Sequence, residues 1–227
     1  MATYDLEEQE QIAELKAWWK QYGNLLLGLV TVVSLGVVAW QGWNWYQRNQ
    51  AAQAAAIYGV LQNALRDNDM QRIKTATGEV IEKFGGTAYA PLAALTAAKA
   101  MVDAGDAKTA KLQLIWVTEH GEDELRDLAR LRLAALLLDE KAYGEALKQL
   151  AGNITPGYAA RFLASRGEIL LAEGKRGEAR TAYREALAKL EETERTGKGR
   201  NSLQDQQAGA AYREWLQAKL DALGESN

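Results

Sequence analysis

The sequence predicts an all-α protein: one transmembrane helix, then an α-solenoid of about four helix pairs with a C-terminal capping helix. Three observations carry this. An uncharged apolar run lies near the amino terminus, the chain of 227 residues contains only 2 prolines, and small residues recur at intervals near 34. Abundant Ala, Leu, Glu, Lys and Arg add a general helical bias.

Lys20 and Arg48 bracket 27 residues without a formal charge, and Leu25 to Trp40 is interrupted only by Thr31 and Ser34 among strongly apolar or small residues. About 20 such residues span a hydrocarbon core of about 30 Å. Trp18, Trp19 and Tyr22 stand at one end, and Trp40, Trp43, Trp45 and Tyr46 at the other, where amphipathic rings favour the headgroup layers. The run is too long and its tail too acidic for a cleaved leader, so an uncleaved signal anchor is expected over 21–47. Lys16 and Lys20 outnumber Arg48 at its flanks, which favours a cytoplasmic tail (1–20) and an exported domain (48–227). Along one face of the span lie Asn24, Gly28, Thr31, Leu35, Ala39 and Gly42, a contact face for another membrane helix. In the tail, Leu6, Ile12, Leu15, Trp18 and Trp19 form an amphipathic pattern that Asp5 could cap.

The domain alternates helical patterns with breakers. Helices are expected over 51–66, 70–84, 91–102, 107–119, 122–138, 143–150, 158–172, 175–194 and 203–223. Asp67-Asn68-Asp69, Gly85-Gly86 and Asp103-Ala104-Gly105-Asp106 make turns, Pro91 opens the third element, and Thr196 to Ser202 is a polar loop. Ala76, Ala110, Ala146 and Ala179 repeat at separations of 34, 36 and 33 residues. Twelve residues before them stand Ala64, Ala98, Ala134 and Gly167; four residues after them stand Val80, Leu114, Leu150 and Tyr183. Repeats of this period that form helix pairs bury their apolar faces on their neighbours. Leu203 to Leu223 supplies the cap.

Composition argues against several functions. The tail and span carry two basic and five acidic residues, leaving 25 of each in the domain, so there is no basic footprint for nucleic acid. Cysteine is absent and His120 is the lone histidine, placed at a helix end, so no metal site, cofactor or thiol chemistry is expected. No nucleophile elbow or dinucleotide fingerprint occurs, and Gly197-Lys198-Gly199 lacks the strand and Ser/Thr of a phosphate loop. An enzyme is not expected.

The repeats resemble the tetratricopeptide repeat, and the last unit matches best, with Leu163, Gly167, Leu170, Ala179, Tyr183 and Ala186 around the turn AEGKRGEA. That resemblance implies a groove lined by the first helix of each pair. By position it would hold Tyr58, Leu61, Leu65, Leu92, Leu95, Lys99, Leu128, Leu131, Leu138, Arg161, Ala164 and Glu168. The tail motif EEQEQIAELKAWWKQYGN, the Trp-rich span and the Ala-rich first soluble helix together resemble the YfgM family, bacterial inner-membrane proteins described as ancillary subunits of the SecYEG translocon. The resemblance implies a cytoplasmic tail, a periplasmic domain, a PpiD-like membrane-anchored chaperone as partner, and translocating or unfolded periplasmic proteins as clients. An adaptor for envelope assembly or cell division, or a negative regulator acting on a stress-response regulator through the tail, are the alternatives.

Overall fold

The computed structural model describes the backbone of residues 2–195 and 203–224, and the side chains of residues 11–195 and 207–224. The polar loop expected at 196–202, Leu6 and the Asp5 cap lie outside those side chains. All regular structure among the described residues is helical: α1 (Ala2–Arg66), α2 (Met70–Phe84), α3 (Tyr89–Asp103), α4 (Ala107–His120), α5 (Asp123–Asp139), α6 (Tyr143–Gln149), α7 (Ala159–Ala172), α8 (Arg176–Arg195) and α9 (Leu203–Leu223). A 3-10 turn, Pro156–Tyr158, precedes α7. The chain divides into two compact units, residues 1–52 and 53–227.

The first unit is the amino-terminal part of α1, the one helix among the described residues long and apolar enough to cross a membrane. Its large apolar side chains are exposed, Leu25 at 72% and Trp40 at 66%. A helix apolar on all sides suits surrounding lipid. The terminal aromatics pair locally, Trp18 with Tyr22 at 5.8 Å and Trp43 with Tyr46 at 6.1 Å between ring centroids.

The second unit is built from helix pairs whose turns share one design. Asn68, Gly105, Lys141 and Gly174 all adopt left-handed backbone, with φ of 52°, 79°, 60° and 89°. In each turn the next residue donates its N–H to the carbonyl five residues back: Asp69 to Ala64 (2.9 Å), Asp106 to Met101, Ala142 to Leu137 and Lys175 to Leu170 (2.8 Å each). This is the double-bonded glycine-type helix stop, which satisfies two orphan carbonyls and reverses the chain. Asp69 and Asp106 then cap the returning helices by accepting from the N–H groups of Arg72 (3.0 Å) and Thr109 (3.1 Å).

The turns correct the register of the first repeat. Seven residues before the left-handed residue stand Ala98, Ala134 and Gly167, but in the first repeat that place is Leu61 rather than Ala64. Five residues after it stand Ala110, Ala146 and Ala179, but here Ile73 rather than Ala76. A shift of three residues keeps the same helix face. Leu61, Ala64, Ile73 and Ala76 are therefore all buried, and apolar pattern alone cannot choose between the alignments. Pro91 is likewise not the opening residue of α3, which begins at Tyr89. It still falls in the first turn, where a missing N–H costs no intrahelical bond.

A continuous core runs from Ala54 to Ile169, and a second cluster joins α7, α8 and α9 around Tyr183 and Leu216. Between the third and fourth repeats, α6 is only 7 residues long and an irregular loop follows. One buried ion pair organises that loop. Arg130 donates to Asp127 (3.0 Å), to the carbonyls of Gln149 (2.8 Å) and Asn153 (2.9 Å), and to that of Ala151. Fully buried Asp127 also accepts from the Thr155 N–H at 2.7 Å, and the Arg130 guanidinium lies 4.9 Å from the centre of the Phe162 ring. The carboxylate and guanidinium drawn into the interior there have partners, as burial demands.

Lys141 is the one turn residue at these four positions that is neither Gly nor Asn. Lys141→Gly should raise stability by about 0.5–1 kcal/mol, the left-handed penalty less glycine's added unfolded-state entropy. Urea unfolding of the full chain in detergent measures it; a lowered midpoint would contradict the shared turn design.

Candidate protein-binding groove

The residues assigned to a groove all fall on the first helices of the pairs: α1, α3, α5 and α7. α3 touches α5 and α5 touches α7, so these helices lie side by side. Burial then sorts the twelve. Leu61, Leu95 and Ala164 are buried and serve the core. Tyr58, Leu65, Leu92, Leu128, Leu131, Leu138 and Glu168 fall between buried and exposed, or line the surface with Lys99 and Arg161. The half-buried leucines of α5 therefore present apolar surface while packing against the core.

Local contacts fix the surface. The Tyr58 ring lies 5.8 Å from that of Tyr89, and its hydroxyl is 3.5 Å from that of Thr96. Thr96 in turn donates to the Leu92 carbonyl at 2.7 Å, and Arg132 donates across helices to the Leu95 carbonyl at 3.0 Å. A cavity of about 530 Å³ opens between Leu65, Met70, Thr96, Lys99 and Asp103. A second, of about 280 Å³, has Val102, Ala135 and Leu136 among its lining, with Arg132 and Asp139 at its edge. The Tyr89, Thr96 and Arg132 contributions escaped the reading of the sequence, because each depends on which helices become neighbours.

Ion pairs link successive repeats. Lys74 meets Asp106 at 2.7 Å and Lys111 meets Glu140 at 2.7 Å. The Lys74 ammonium first, then Thr109, hold the Asp106 carboxyl down at about 2. His120 closes the end of α4 as its position suggests: its Nδ1 lies 3.0 Å from the Trp116 carbonyl and its ring stacks on Trp116 at 4.6 Å.

In the amino-terminal unit, Asn24, Gly28, Thr31, Ala39 and Gly42 are all exposed along α1, as is Leu35. The Thr31 hydroxyl donates to the Leu27 carbonyl at 2.8 Å, so it needs no outside partner. A side chain at Gly28 or Gly42 would meet nothing within 4 Å, leaving both places open to another helix.

Residues 16–225 match the family described as Tetratricopeptide repeat-like domain. The chain belongs to that tetratricopeptide repeat-like family. Among its relatives is a Haemophilus influenzae protein, 29% identical over 81% of this chain and 90% of its own length. A Neisseria gonorrhoeae protein is 28% identical over 96% and 98%, and an Escherichia coli K12 protein 29% over 81% and 88%. All three carry the name Ancillary SecYEG translocon subunit. Among solved structures, MamA (41-end) from Desulfovibrio magneticus RS-1 is 17% identical with a TM-score of 0.47, covering 76% of this chain and 97% of that one.

The pairing between repeats predicts a pH signature. The folded Asp106 carboxyl sits near 2 against an ordinary 3.8, so its contribution is complete above about pH 4 and is lost as pH falls towards 2. Asp106→Asn keeps an acceptor for the Thr109 N–H but loses the charge pairing with Lys74. Its melting point should fall below that of the unsubstituted chain at neutral pH and converge with it near pH 2. A gap that stays constant with pH would show that the pair contributes nothing.

Proposed function

We propose that this chain is a non-enzymatic, single-pass inner-membrane protein whose helical-repeat domain lies on the periplasmic side and binds proteins at the Sec translocon. There it serves as an ancillary subunit and as a chaperone or scaffold for translocated proteins, beside a PpiD-like anchored chaperone. One observation carries the reading: the apolar helix, the repeat domain and the likeness to proteins named for SecYEG extend over one and the same chain. The physical support is consistent with it. A helix-pair array exposes a row of half-buried leucines on its first helices, the kind of surface that takes an extended or helical apolar segment. The excess of Lys16 and Lys20 over Arg48 favours the tail-in orientation. The stripe from Asn24 to Gly42 offers a lateral contact for another membrane helix.

A photo-activated cross-linking residue at Leu92 or Leu131 tests the groove, with Leu61, fully buried, as the control position. Translocon subunits, an anchored chaperone or translocating chains should be captured from the first two and not from Leu61. Protease added to the outside of spheroplasts should meanwhile remove residues 48–227. Capture of none of these proteins would overturn the binding role, and full protection of the domain would reverse the orientation.

A further inference from the structure

The last helix does more than end the array. The expected groove runs onto α7, where two of its assigned residues lie beside the chain's own α9. Ala164 is buried in the cluster that Leu216 completes, and Glu168 is paired with Lys219 at 3.6 Å. Trp215 packs edge-on against the ring of Tyr183 at 6.3 Å, and Arg213 meets Glu194. The seat on α7 and α8 is therefore shaped for one amphipathic helix, apolar along one face and basic opposite Glu168 and Glu194.

The helix that fills it is lightly held. Among the described residues of α9 only Gly209 and Leu216 are buried, against eight residues in α3. Both ion pairs are partly exposed, and such pairs contribute little. Beneath Trp215, the Tyr183 hydroxyl is buried with no hydrogen-bond partner among the described residues, which offsets part of the gain from packing. Elements with few buried contacts open at lower free energy than the fold as a whole.

We propose that α9 is an exchangeable occupant: it blocks a helix-binding seat on α7 and α8 that an amphipathic helix of a partner, carrying the same aromatic-leucine face and two basic residues, takes over when α9 lifts. The inference does not require the translocon to be that partner. Because only the open fraction can bind, the apparent affinity for such a helix is lowered by the time α9 spends seated.

The test uses the full chain in detergent and a fluorescent peptide of residues 203–223 as the probe, read by anisotropy. A chain bearing Leu216→Ala should bind the peptide at least about tenfold more tightly than the unsubstituted chain. One bearing Lys219→Glu, which weakens α9 without entering the core, should bind it more tightly by a smaller factor. Adding Glu168→Lys to the Leu216→Ala chain should reduce the gain, and a peptide bearing Leu216→Ala should bind none of the chains. Equal affinity for all chains, or no binding to any, would overturn the proposal. So would hydrogen exchange in 207–223 as slow as in α3.

Discussion

The ring of Tyr183 lies 2.8 Å from the point where a Cβ on Gly167 would begin, closer than a side-chain carbon can stand to another atom without displacing it. Two helices can pair at that spacing only if one offers no side chain at the crossing. The second and third repeats place the next smallest residue, alanine, at the corresponding positions of both helices, Ala98 and Ala110, then Ala134 and Ala146, all buried. Packing density leaves no slack at such crossings. The first helices of successive repeats also touch, as α3 does α5 and α5 does α7. The half-buried leucines of α5 lie on these neighbouring first helices.

Much of this was legible in the chain. Turn chemistry at Asn68, Gly105 and Gly174 punctuates strong helical patterns, so α2 and α9 begin and end where their residues predict. The register of the first repeat differs from the one its alanines suggest for a definite reason: a three-residue slip leaves the buried face unchanged, and only the turn bonds resolve it. Asp127 and Arg130 carry no signal of their role in the sequence, because their partners are backbone carbonyls and an N–H about 20 to 30 residues away. Pattern finds faces; it does not find which loop a charge will hold.

The residues expected to line a groove were legible by helix but not by burial. Spacing put Leu61 and Leu131 on comparable faces, yet Leu61 is fully buried and Leu131 is only partly buried. The placement of α9 beside Ala164 and Glu168 was also out of reach, since an amphipathic last helix is equally compatible with any terminal surface. The amino-terminal unit is simpler: its stretch 21–47 lacks formal charge and exposes its apolar side chains, as suits lipid, and the repeat domain continues from the same chain.

Small residues stand at the helix crossings because a large side chain from the paired helix occupies the space. A double-mutant cycle on Gly167→Ala and Tyr183→Leu, read by urea unfolding, tests this most directly. Gly167→Ala should cost about 1–3 kcal/mol with Tyr183 present. On the Tyr183→Leu background the same change should be neutral or stabilising, so that the two substitutions are strongly non-additive. Costs that add within about 0.5 kcal/mol would contradict it.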